Sequence, residues 1–192
     1  MGTRALGERP WLVRDERHSD ELALKATLCR TRHGEVFAAE RGTEPAATEV
    51  GGLIEADGAR LLEGSGLHPL DQAGRSVQED LCLMERRASG WHLAAASLCF
   101  PARWRLADKI GRHVTEVHAP VAGYEMQLSA RVDRLFDRLT SRPVWRRNWF
   151  VHANADLFQP DRPAVEPIVA HAEVGTGLVV RSERQTLRVL LP

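Results

Sequence analysis

The chain has 192 residues, 43% of them hydrophobic, which suffices for the core of one domain with or without an appendage. Lys+Arg and Asp+Glu both number 26, so no net field draws nucleic acid or an anionic membrane, and neither is an expected partner. No apolar run approaches the ~18 residues of a membrane span, and MGTRALGERPWLVRDE lacks the apolar stretch of a secretory leader, so the cytoplasm is the expected location.

Ser19 is placed to cap a helix over Asp20–Cys29, with acidic residues in its first turn. Pro45 suits the first turn of a second helix reaching Leu62, with Val50, Leu53, Ile54 and Leu61 as its apolar stripe. Gly51 and Gly52 weaken that helix, and Gly58 with EGSGLHP closes it; a loop is expected to run on through DQAGR. From Val77 the period changes to two. Val77, Glu79, Leu81 and Leu83 share one face, and Gln78, Asp80, Cys82 and Met84 the other. The turn Ala88–Gly90 makes a hairpin with Trp91–Phe100, which Pro101 stops.

Arg103–Ile110 reads as a short helix ended by Gly111. Tyr124–Leu139 is the clearest helix, with Leu128, Val132, Leu135, Phe136 and Leu139 on one stripe. Strands follow around Trp149 and from Gly177. Helices interleaved with antiparallel strands predict an α+β fold, its sheet formed by the hairpin and the two late strands, with the last helix packed on it.

Cys29, Cys82 and Cys99 form no CxxC pair and are odd in number, so neither a zinc knuckle nor a disulfide framework is implied. Each sits among apolar residues, where a cysteine behaves as a small hydrophobe. His113 and His118 are five apart with no third ligand nearby, which disfavours zinc. His118 lies in VHAPVAGY, beside Pro120 and between Val117 and Val121; an axial ligand to a flat apolar cofactor and an ordinary loop histidine both fit.

Arg103, Arg105, Arg112, Arg146 and Arg147 alternate with Trp104, Trp145 and Trp149. Tryptophans in the core with arginines paired to carboxylates is the plain reading, and a cofactor with propionates would use the same guanidinium forks. Arg181, Glu183 and Gln185 share one strand face, either solvated or lining a polar seam; Tyr124, the only tyrosine, has a hydroxyl for a small molecule or for its own helix. No GxGxxG, GxxxxGK[ST], GxSxG or HExxH occurs.

HPLDQAGRSVQEDLCLM, FPARWRLADKIG, VHAPVAGY, WRRNW and RSERQTLRVL occur in one order, and together they resemble the heme-binding subunit family of the heme-dependent oxidative N-demethylases. The likeness spans about His68 to Leu190 and continues more weakly into PWLVRDE and the Ala-Ala-Thr-Glu helix. It implies a PAS-like core over 67–192, C-terminally incomplete, behind an N-terminal helical segment, 1–66. It implies heme as cofactor, and oxidative removal of a methyl group from a small methylated amine such as dimethylamine, with oxygen activated on the iron. Electrons would come from separate flavin and iron–sulfur reductase subunits, since the chain has neither a dinucleotide fingerprint nor a four-cysteine set.

Under that resemblance His118 is the expected iron ligand, with His113, His152 and His171 as competitors, and Arg103, Arg146 and Arg147 anchor the propionates. Glu79, Asp80 and Tyr124 are the expected catalytic candidates, facing the substrate ammonium. PVAGY departs from the family's more usual second proline, which loosens the loop. A non-catalytic PAS-like module sensing heme or a small ligand is the alternative, a fragment that folds and binds nothing is a third reading, and a homo-oligomer is left open.

Overall fold

The computed structural model describes residues 2–63, 66–118, 129–139, 142–162 and 177–190. The chain forms two compact units: a larger one of Leu12–Cys99, Arg105–Arg138 and Leu190–Pro192, and a smaller one of Met1–Trp11, Phe100–Trp104 and Leu139–Val189.

In the larger unit the order is α1 (His18–Thr31), α2 (His33–Val36), β2 (Phe37–Ala39), α3 (Glu44–Ala56), α4 (Pro69–Ser76), β3 (Leu81–Arg87) and β4 (Gly90–Ser97), where β1 is kept for the first strand of the chain. A 3₁₀ turn (Leu106–Asp108), α5 (Val114–His118) and α6 (Ser129–Asp137) follow. The sheet is antiparallel in the order β2-β4-β3. Its core gathers Val36, Ile54, Leu70, Leu81, Leu83, Leu93 and Leu106, all buried.

The hairpin forms as its period and turn dictate, with Leu81 opposite Ser97 and Arg87 opposite Gly90. A bulge at Leu83/Met84 leaves Ala94 without an opposite residue. The strand starts at Leu81 rather than Val77. α1 starts at His18 with no side-chain cap, so Ser19 lies inside the first turn instead of before it. α3 has Pro45 in its first turn as expected but stops at Ala56, and Leu62 is exposed.

The stretch expected to be a loop through DQAGR is instead helical. Pro69 sits in the first turn and the His68 Nδ1 accepts the Leu70 N–H at 3.2 Å, so this helix is capped by an imidazole. Its glycine is a packing device: a Cβ on Gly74 would lie 2.1 Å from Ser97 Oγ and 2.4 Å from Ser97 Cβ. α4 therefore crosses β4 backbone to side chain, where β4 carries only Ala94, Ala95, Ala96 and Ser97. Gly74→Ala is expected to cost roughly 3 kcal/mol or more by overpacking, read as a lowered melting temperature, with Ser97→Gly in the same chain recovering part of it.

The expected helix Arg103–Ile110 is reduced to the 3₁₀ turn. Arg103 has φ +63°, which ends any helix attempt there. The expected helix Tyr124–Leu139 is seen as α6, while 124–128 lie outside the described residues. As expected, α6 packs on the hairpin: Val132 joins Val114 in a buried cluster covered by Met84, Trp91 and Phe136. The Trp91 and Phe136 rings are 5.5 Å apart, and Trp91 Nε1–H donates to Asp137 at 2.9 Å.

The smaller unit carries β1 (Arg4–Ala5), β5 (Val144–His152) and β6 (Val179–Leu187), antiparallel in the order β1-β5-β6. β5 and β6 pair without interruption from Val144–Leu187 to His152–Val179. The α+β class is as expected. The single sheet joining hairpin and late strands is not: β2 takes the free edge of β4, β1 that of β5, and two separate sheets result.

Candidate functional site

Three histidines can be compared by the proton each ring must carry. His118 is the last residue of α5 rather than part of a loop, and its Nδ1 lies 2.8 Å from the Val114 carbonyl oxygen four residues earlier. A carbonyl only accepts, so Nδ1 holds the proton and the lone pair lies on Nε2. This is the tautomer of a metal-ligating imidazole whose other nitrogen is fixed by a backbone carbonyl.

His113 has the opposite setting. Its Nδ1 accepts the Thr115 N–H at 3.1 Å, which puts the proton on Nε2, 3.9 Å from Asp133 Oδ1. Its ring also fills the space over the hairpin turn: a Cβ on Gly90, where φ is +122°, would meet Nε2 at 2.2 Å. His113 is thus a structural histidine at the turn, and Gly90→Ala is expected to displace it and lower the melting temperature.

His152, in the smaller unit, is 3% exposed. Its Nδ1 faces Gln159 Oε1 at 3.0 Å, and Gln159 Nε2 donates to Asn154 Oδ1 at 3.0 Å, which fixes the amide and makes the His152 Nδ1 the donor. Its Nε2 is buried with no hydrogen-bond partner. His171, Tyr124, Pro120 and Val121 lie outside the described residues.

The two acidic candidates sit together in the larger unit, both engaged with its backbone. Glu79 accepts the Val13 N–H at 2.6 Å, and Asp80 accepts the Cys99 N–H at 2.8 Å. Beside Asp80, at 3.7 Å, is the ammonium of Lys25, a wholly buried lysine. Lys25 Nζ donates to the carbonyls of Gly74 and Val77, each at 2.9 Å, and to that of Glu79. Glu79 also lines a small cleft with Leu12, His18 and Gln78.

The arginine candidates belong to the smaller unit. Arg146 and Arg147 are neighbours on β5 and so point to opposite faces; Arg146 Nε donates to Gln185 at 2.6 Å, and Arg147 is exposed. Arg103 donates its backbone N–H to Gln159 O at 2.6 Å. The polar seam on β6 is internal: Arg181 donates to the carbonyls of Phe100, Pro101 and Leu157 and pairs with Glu183 at 3.2 Å.

One polar cluster was not legible beforehand because its helix read as a loop. Asp71, 1% exposed on α4, accepts Arg75 Nε at 2.8 Å and Nη2 at 2.9 Å, and meets His33 Nε2 at 2.7 Å. Burial pushes this carboxyl up, but the hydrogen bonds from Arg75 and His33 outweigh it and hold it below the ordinary 3.8. A depressed folded-state pKa adds stability that is complete above 3.8 and lost as pH falls through the folded value. Asp71→Asn is therefore expected to flatten the acid limb of stability, measured as the urea midpoint between pH 5 and pH 2.

An α+β chain with an imidazole held in the iron-ligating tautomer is suited, in its donor chemistry, to a heme protein. Residues 52–191 match the family described as haem-dependent oxidative N-demethylase, alpha subunit-like, and the chain belongs to that family. Family membership carries a heme-dependent, oxidative N-demethylase-like function at that level of detail. No curated protein matches the chain. Among the described residues no helix is long and apolar enough to cross a membrane.

Proposed function

We propose that this chain is the heme-binding subunit of an oxidative N-demethylase whose substrate is a small secondary amine such as dimethylamine. Family membership over residues 52–191 supports the reading most directly, and the His118 tautomer supports it from the site. Heme, when bound, supplies the iron centre at which oxygen is activated.

The chain's own residues bind and position. His118 Nε2 is the proposed iron ligand, with the Val114 carbonyl fixing the ring and raising the basicity of the bound nitrogen. A secondary amine arrives as an ammonium at neutral pH and must give up a proton before its methyl group is oxidised. Glu79, Asp80 and Tyr124 are the proposed groups for holding that cation and taking its proton. Electrons come from separate flavin and iron–sulfur subunits, since three dispersed cysteines cannot supply a four-thiolate cluster. A cytoplasmic setting suits such a multi-component system.

The test is titration of the purified chain with hemin, followed by dimethylamine and a chemical reductant in air. A Soret band together with formaldehyde release is expected. Heme binding with no formaldehyde would move the reading to a heme-sensing module, and a folded sample with no Soret band would overturn it.

A further inference from the structure

In the smaller unit the apolar groups stand on the outer face of the sheet. β5 and β6 pair without a shift, so Arg147, Trp149 and Val151 share one face with Arg184, Ser182 and Val180. The opposite face is the covered one. Arg181 reaches from it to the carbonyls of Phe100, Pro101 and Leu157, and His152 is buried on it against Gln159. That covered face is mostly polar, since Arg146, Asn148, Glu183 and Gln185 lie on it too. The outer face is where the large apolar groups stand: Trp149 is 70% exposed, Val180 67% and Val151 43%. Val151 is opposite Val180, and Trp149 belongs to the next pair on the same face, so the three form one patch. An exposed apolar patch of this kind marks a contact surface.

Arginines flank that patch without counter-charges. Arg147 stands directly opposite Arg184, a like-charge pair that destabilises the ribbon. Arg4 lies on the same face, opposite Trp145. The guanidinium carbons of Arg9 and Arg184 are 5.5 Å and 5.9 Å from the centre of the Trp145 ring. Among the described residues none of Arg4, Arg9, Arg147 and Arg184 is paired with a carboxylate, and the strand positions of this face include no acidic residue. The chain is neutral as a whole, but its charge is uneven: the ranges of the smaller unit hold ten arginines, no lysine and six acidic residues.

We propose that the outer face of β5 and β6 docks an acidic partner protein, with Trp149, Val151 and Val180 at the centre of the contact and Arg147 and Arg184 facing its carboxylates. Guanidinium forks suit carboxylates, and tryptophan and arginine are the residues that most often carry interface energy. A carboxylate seated between Arg147 and Arg184 removes their repulsion, so docking relieves an unfavourable pair that the free chain carries. A second copy set face to face would instead bring arginine against arginine. Val151 and Val180 give the bases of a nucleic acid nothing to stack on. The partner is the subunit that delivers electrons, an assignment that rests on the N-demethylase reading.

The test is the fluorescence anisotropy of a labelled peptide of repeated Glu-Glu-Leu, titrated with the full chain. Saturable binding that weakens with added salt is expected. Trp149→Ala and Arg147→Glu should each weaken it about tenfold or more. Both side chains are exposed, so both variants should fold, checked by an unchanged far-ultraviolet circular dichroism. Arg60→Glu makes the same charge change at an exposed arginine of the larger unit and should leave binding unchanged. The proposal is overturned if the peptide does not bind, or if Arg60→Glu weakens binding as much as Arg147→Glu does. It is also overturned if oligothymidine binds more tightly than the peptide, or if the chain is a dimer that Trp149→Ala dissolves. No readout uses heme or an amine. Peptide binding by a chain that takes up no heme would keep the docking face and overturn only the electron-delivering role, so the two failures are distinguishable.

Discussion

Lys25→Ala should leave the larger unit largely unfolded at physiological temperature. The lysine side chain is wholly buried, and its ammonium serves the carbonyls of Gly74, Val77 and Glu79 together with the Asp80 carboxylate. These acceptors come from the end of α4 and the segment leading into β3, so one cation closes the backbone that joins them. Removing it strands buried acceptors at about 1–3 kcal/mol each. A carboxylate stripped of its buried partner costs up to roughly 3–5 kcal/mol, and Asp80, with 17% of its side chain exposed, falls at the low end. Even at the low end of each range the combined loss is roughly 6 kcal/mol, comparable to the whole stability of many domains. Lys25→Met separates head from stem: it keeps the apolar packing and loses the donors. If the urea midpoint of Lys25→Met stays close to the parent, the ammonium is not what holds this junction.

That clamp was not readable from the sequence, and the reason is physical. Lys25 stands alone as a charge in the apolar run Leu22–Cys29, where a lysine ordinarily extends its ammonium to solvent, and its acceptors are backbone carbonyls, which every residue has. The hairpin was legible because alternation and the Ala88–Gly90 turn are local and agree with each other. α4 was misread because HPLDQAGR carries Pro and Gly, the usual marks of a loop. Here Pro69 occupies a first-turn position that needs no N–H, and Gly74 is present because Ser97 leaves no room for a Cβ. Strand pairing was the other failure: β2 is three residues long and β1 two, too short to carry a period, yet each claims a sheet edge. The family was visible because its strings are long and ordered. Around His113 and His118 a helix followed by a loop was expected, where the chain forms a 3₁₀ turn and then α5, and which imidazole nitrogen carries the proton was not readable either.

His118→Ala should abolish the Soret band of the hemin-loaded chain or shift it strongly, while the far-ultraviolet circular dichroism stays unchanged. The expectation follows from what each histidine is already committed to. His118 gives its Nδ1 proton to the Val114 carbonyl at the end of a five-residue helix, so substitution removes a ring whose lone pair lies on Nε2, the nitrogen proposed to hold the iron. His113 spends its Nδ1 lone pair on the Thr115 N–H and packs over Gly90. His113→Ala should therefore lower the melting temperature by an amount typical of a lost cap and a cavity, about 1–3 kcal/mol, and leave the Soret position alone. Added imidazole offers a further check, because it can occupy the space left by the His118 side chain and should restore the parent spectrum in that variant. An unchanged Soret band in His118→Ala would transfer the ligand role to another imidazole, first His152, whose Nδ1 is likewise held as a donor and whose Nε2 is buried without a hydrogen-bond partner.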